Sequence, residues 1–211
     1  MQQAVIIMFE AFRRYRDQWQ GESEVVTQFE SFLHGQVDAF ARSNLTGHFT
    51  GSAWLVSADG TRVLLMHHRK LDRWLQPGGH ADGDVNLARV ALREAEEETG
   101  LTALRVDRHI FDLDLHRIAA RPIGARNVMQ AAPSGVASGE RHPARGYEPE
   151  HWHYDVRYVV RAGASESFVA NAESYALTWR SVAEVAVDES LDISLRRMAN
   201  KWLSRSLSAR L

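Results

Sequence analysis

A chain of 211 residues, 45% hydrophobic and 25% charged, has ordinary globular composition and enough length to bury one core. Its formal net charge of −2 gives no electrostatic reason to expect a nucleic-acid polymer or an anionic membrane as partner. The absence of cysteine excludes a disulfide framework, a thiol nucleophile and a cysteine-based zinc site, and it fits a reducing cytoplasm, the location expected.

Residues 1–44 read as a helical hairpin set apart from the rest. Val5, Phe9, Phe12, Tyr15 and Trp19 recur at helical spacing, as do Val25, Phe29, Phe32, Leu33, Val37 and Phe40. Gly21-Glu22-Ser23 breaks the pattern, with Ser23 placed to cap the second helix. The apolar run from Ala4 to Phe9 is followed by Glu10 and lacks a cleavage pattern, so it reads as mature helix, not a signal peptide. No segment is long and apolar enough to span a bilayer. The hairpin is expected to cover the main domain or a second subunit, and a homodimer is one arrangement it allows.

From Gly47 the period becomes two. His48, Thr50, Ser52, Trp54 and Val56 alternate with Phe49, Gly51, Ala53 and Leu55, which predicts a strand. Ala58-Asp59-Gly60-Thr61 is a turn, and Arg62–His67 is the returning strand. The stretch Trp74–Leu101 then runs from a glycine-rich loop into a helix that Asp84 or Asn86 would cap and Gly100 would close.

Helix phase sorts the acids of that helix. At roughly 100° per residue, Glu94 and Glu98 share a line with Leu87, Val90 and Ala91, beside a second apolar row of Ala88, Leu92 and Ala95. Glu97 falls to one side, and Glu96 shares the far side with Arg89 and Arg93. Two like charges four residues apart on the inward face repel and need a partner. A divalent cation supplies one.

Beyond the helix, Leu104–Ile118 alternates again, with Ile110, Asp112, Asp114 and His116 on one side and Phe111, Leu113 and Leu115 on the other. Residues 119–150, rich in Gly, Pro, Ser and Ala, read as a long loop or lid. His151–Val160 is the cleanest strand, with His151, His153, Asp155 and Arg157 sharing a face. Ser174–Arg180 reads as a further strand and the segment from Ser190 as a closing helix, striped by Leu191, Leu195, Met198 and Trp202.

The glycine-to-helix stretch resembles the signature of the Nudix family: Gly, five residues, Glu, seven residues, then Arg-Glu-apolar-any-Glu-Glu-any-Gly-apolar. Gly79 fits the first position and Arg93–Leu101 (REAEEETGL) the whole second half, with Pro77-Gly78 matching the usual lead-in. The early Glu falls on Val85. In the family that acid pairs with the signature arginine, here Arg93, and Asp84 and Asp82 stand nearby as substitutes. The resemblance implies an α/β fold, an α/β/α sandwich around a mixed sheet, over residues 45–211. It also implies hydrolysis of a diphosphate bond in a nucleoside diphosphate linked to another moiety, with Mg²⁺ or Mn²⁺. Glu94, Glu97, Glu98 and the Gly79 carbonyl would hold the metal, since hard cations take oxygen ligands. The base would be one of these acids or Glu173, and Arg93 would be structural.

His48, His80, Asp114, His116, His151, His153 and Asp155 form a second set, in the loop or on polar strand faces. They would contact substrate or hold an additional transition metal such as Zn²⁺ or Mn²⁺. Two other readings stand open: a non-catalytic ligand-binding module of the same fold, and an isomerase resembling isopentenyl-diphosphate isomerase. The second lacks the cysteine on which that enzyme relies.

Overall fold

Each stretch with a period of two becomes a strand of one mixed sheet. The computed structural model describes residues 2–69, 71–122, 147–169 and 174–208. The strands are β1 (Gly47–Val56), β2 (Arg62–His68), β3 (Arg73–Leu75), β4 (Gly78–His80), β5 (Arg105–Ile118), β6 (Arg121–Pro122), β7 (Tyr147–Glu148), β8 (His151–Arg161) and β9 (Ser174–Ser181). The main sheet runs β3-β2-β1-β8-β5, with β4 added to β1 and β9 to β2. β1 and β8 are parallel and their neighbours antiparallel.

Helices α1 (Gln2–Gln18), α2 (Ser23–Gly35) and α3 (Leu87–Thr99) cover one face, and α4 (Val182–Val187) and α5 (Ile193–Ser208) the other. The result is an α/β/α sandwich. On the first face Phe49, Ala53 and Leu55 of β1 meet Val156 and Val160 of β8 and the row Leu87, Val90, Ala91 and Ala95 of α3. The hairpin helices share that core. Phe29 and Phe32 pack on Tyr154 at ring-centroid distances of 5.3 and 3.8 Å, and Phe12 lies 5.9 Å from Phe29. Burying each such ring contributes roughly 1.5–3 kcal/mol. The second core joins Trp54, Val56, Val63, Leu65, Phe111 and Val159 to Val182, Val185, Leu195 and Met198.

Three local expectations are corrected. Ser23 starts α2 and does not cap it: Glu22 occupies the cap position, and the Ser23 hydroxyl donates to the Gln20 carbonyl instead. Ile110 does not share a face with Asp112. The β5–β8 register shifts between them, so Ile110 joins the first core while Phe111 enters the second. Strict alternation fails at a bulge. The stretch read as one loop before α3 contains the short strands β3 and β4, and α4 precedes the closing helix. Within the expected long loop, β6 pairs with β7, and residues 123–146 lie outside the described residues.

A buried polar seam fastens α5 to the sheet and to the hairpin. Asp112, fully buried, accepts from Arg157, Arg197 and Lys201 at 2.7–3.2 Å. Lys201 also donates to the Tyr15 hydroxyl at 2.6 Å and to Glu22 at 2.8 Å. Burial comes first in raising the Tyr15 phenol above its ordinary range, reinforced by Asp112 and Glu22.

Candidate functional site

The candidate site is assembled where α3 crosses β4. α3 is capped by the Asn86 side chain, which accepts from the Arg89 amide at 3.1 Å, and it ends at left-handed Gly100. Its inward acids are unequal. Glu98 is buried and accepts from the Gly78 amide at 3.0 Å. Glu94 is half-buried, with its carboxylate lying so close over Gly79 that a Cβ there would overlap it. Glu97 and Glu96 are exposed. β4 itself is fixed to β1 by the pairs Gly79↔Gly51 and Gly78↔Ser52.

Burial raises the Glu94 carboxyl above the usual carboxylate range, although the neighbouring Arg93 pulls the other way. An ionised Glu94 is therefore short of solvation, and a cation would supply what water does not. Glu94 and Glu98 with the backbone of Gly78-Gly79 form an oxygen-rich donor set suited to a hard divalent ion. Arg93 donates to Glu94 at 2.8 Å and to the His80 carbonyl at 3.3 Å, so it ties the helix to β4.

Asp84 does not take over the pairing with Arg93. It binds Arg89 through two 2.8 Å contacts and accepts from the Asn86 amide at 2.9 Å. That hydrogen-bonded pairing lowers the Asp84 carboxyl from its ordinary range. Val85 packs against the first core. The loop is thus anchored by an ion pair one turn earlier on the helix and by an apolar contact.

The histidines converge on the opposite face of β4. Register rows explain it: His48, His153 and His116 stand side by side across β1, β8 and β5. The next row holds His80, Thr50, Asp155 and Asp114, and the row after it Ser52, Arg157 and Asp112. His48 lies 4.8–5.1 Å, centroid to centroid, from His80, His151 and His153. Burial lowers the His48 imidazole to about 4 and the His80 imidazole to about 3, and it lowers His153 as well.

The two carboxylates of the histidine set, Asp155 and Asp114, are occupied by protein partners. Asp155 accepts from Thr50 and Ser52 at 2.8 Å and from Arg157 at 2.7 Å. Asp114 pairs with Arg157 at 3.1 Å and Arg197 at 2.9 Å, and it receives His116 at 3.0 Å. Burial alone would raise the Asp114 carboxyl, but His116 and the two guanidinium groups hold it well below the usual range. Glu173 lies outside the described residues. Sequence reasoning did not single out Arg197 or Lys201 on α5, whose positions beside Asp112 depend on the helix docking across the sheet.

A family model described as the NUDIX domain matches residues 48–201. The chain belongs to the Nudix family. It is 31% identical over 133 residues to "Putative 8-oxo-dGTP diphosphatase 3" of Mycobacterium tuberculosis, a match covering 61% of this chain. The chain spans about half of that relative's length, 48%. A solved MutT protein from Methanosarcina mazei Go1 aligns with TM-score 0.50 at 16% identity, covering 76% of this chain and 95% of that one. A Caenorhabditis elegans Ap4A hydrolase complex aligns with TM-score 0.49 at 14% identity, covering 76% and 98%. The Methanosarcina likeness concerns the fold alone. α3 lies within the matched region and the hairpin precedes it.

Proposed function

We propose that this Nudix protein is a pyrophosphohydrolase that cleaves a diphosphate bond in a nucleoside diphosphate linked to another moiety, using Mg²⁺ or Mn²⁺. The observation that carries the reading is the clamping of Glu94 and Glu98 against Gly78-Gly79, an oxygen donor set on the signature helix. Glu94 and Glu98 would be the central ligands, Glu97 a rim ligand, and the Gly79 carbonyl the backbone ligand. The ion, when bound, neutralises phosphate charge and activates water. Arg93 is a positioning residue that holds Glu94 to β4. One of Glu94, Glu97 and Glu98, or Glu173, would accept a proton from the attacking water.

The 8-oxo-dGTP named in the relative supports a nucleotide as the substrate class. The substrate is a small molecule, in keeping with a net charge of −2. No helix among the described residues is long and apolar enough to cross a membrane. A cytoplasmic location and a homodimer complete the proposal. The test is a panel of nucleoside triphosphates, nucleotide sugars and dinucleoside polyphosphates assayed with Mg²⁺ and with Mn²⁺ for phosphate or monophosphate release. Metal-dependent turnover of at least one compound is expected. Binding without turnover across the panel would replace the hydrolase with a ligand-binding module.

A further inference from the structure

The histidine group has features that neither the signature glutamates nor ordinary core packing explains. One ligand atom each from His48, His80 and His153 lies within 4.8 Å of the others. His48 is 1% exposed, yet neither of its ring nitrogens has a hydrogen-bond partner among the described residues, and His80 Nε2 is likewise unpartnered. The Asn44 backbone lies close to His48 but outside hydrogen-bond geometry. An unsatisfied buried polar atom is destabilising, so three in one place form an incomplete site. His151 is already oriented from behind: its Nδ1 meets the Pro149 carbonyl at 2.9 Å, which turns Nε2 toward His153 Nε2 at 3.1 Å. A backbone carbonyl behind an imidazole is the usual support for a metal-facing ring.

The ligand class follows from the donors. Three imidazoles whose ring nitrogens face one another without a competing protein partner at His48 or at His80 Nε2 offer lone pairs to a single ion. The neighbouring carboxylates Asp155 and Asp114 are committed to Arg157, leaving nitrogen as the donor. Neutral imidazoles select borderline ions over Mg²⁺. Closing from 4.8 Å to the about 3.4 Å between nitrogens of a tetrahedral site is within reach of ring rotation. Gly79 and His80 are adjacent in β4 and so face opposite ways, which separates this group from the α3 acids.

We propose that His48, His80 and His153 form a second metal site that takes one divalent transition-metal ion of the Zn²⁺ or Co²⁺ type, independently of the α3 carboxylates. The test uses the full chain, stripped with chelator and held in excess Mg²⁺ to saturate the oxygen ligands, then titrated with Co²⁺ or Zn²⁺ alone. One equivalent is expected to bind, with visible Co²⁺ absorption of tetrahedral intensity. His80→Gln and His153→Gln should each weaken it about a hundredfold or more, while Glu98→Gln retains it. No Co²⁺ or Zn²⁺ binding, or binding lost in Glu98→Gln and kept in both histidine variants, would overturn the proposal. Because a variant can fail to fold, the wild-type chain supplies an independent readout. Co²⁺ should shift the ring resonances of three histidines far outside the diamagnetic range, and their staying within it would refute the site. Hydrolysis is read separately, so loss of the diphosphatase reading leaves this result standing.

Discussion

At the scale of single residues, the site depends on how little room stands between β4 and α3. Gly79 is sandwiched under the Glu94 carboxylate, and any side chain must displace either the strand or the acid. A displacement of about 1 Å costs on the order of a hundredfold in rate. Gly79→Ala is therefore expected to lower kcat by about that factor while the melting temperature falls only a few degrees; wild-type turnover in this variant would show that Glu94 need not sit there. The order of the four acids was legible from helix phase alone, and the exposure of Glu96 and burial of Glu98 follow it. The partner of Asp84 was not, because Arg89 and Arg93 are both within reach in sequence and only the cap geometry at Asn86 selects Arg89.

Among elements, α5 is held by charge as much as by its apolar stripe. Asp112 has three buried or half-buried cationic partners, each also paired with another acid, so removing it takes one counter-charge from all three at once. Breaking such a pair costs about 3–5 kcal/mol, and Asp112→Ala should reduce the unfolding free energy by that amount in urea titrations; a loss below about 1 kcal/mol, the worth of a solvated pair, would mean that the seam is open to water. Asp114 gives the same seam a pH signature. Its folded carboxyl ionises below the unfolded one, so its contribution is present above an unfolded value of about 3.9 and disappears as pH falls below that. Asp114→Asn should flatten the decline of stability as pH falls from about 4 toward 2, and an unchanged decline would assign it to other carboxylates. The strand pattern foretold which residues of β8 share a face. It did not foretell the bulge at Phe111, since a register shift is set by the partner strand and not by local sequence.

Across the whole molecule, the hairpin and the Nudix region behave as one packing unit. The period of the first 44 residues announced two helices, but their docking was invisible until Phe49 and Tyr154 were seen to lie under Phe29 and Phe32. Phe29→Ala should cost about 3–5 kcal/mol in a single cooperative transition, whereas two separate transitions would make the hairpin an independent unit. The same long-range register brings the histidines together: their spacing put them on polar strand faces, and the parallel pairing of β1 with β8 aligns His48 with His153. Both candidate sites thus sit on opposite faces of one three-residue strand, β4.

The central claim, that the inward acids of α3 hold the ion on which diphosphate cleavage depends, is tested most directly by comparing Glu98→Gln with Glu96→Gln. The amide oxygen introduced by Glu98→Gln would still accept from the Gly78 N–H, so the fold is preserved while the ligand charge is lost. With the best substrate of the panel and saturating Mg²⁺, Glu98→Gln should lose about a hundredfold or more in kcat, and the exposed Glu96→Gln should match wild type. Equal activity in the two variants would contradict the account.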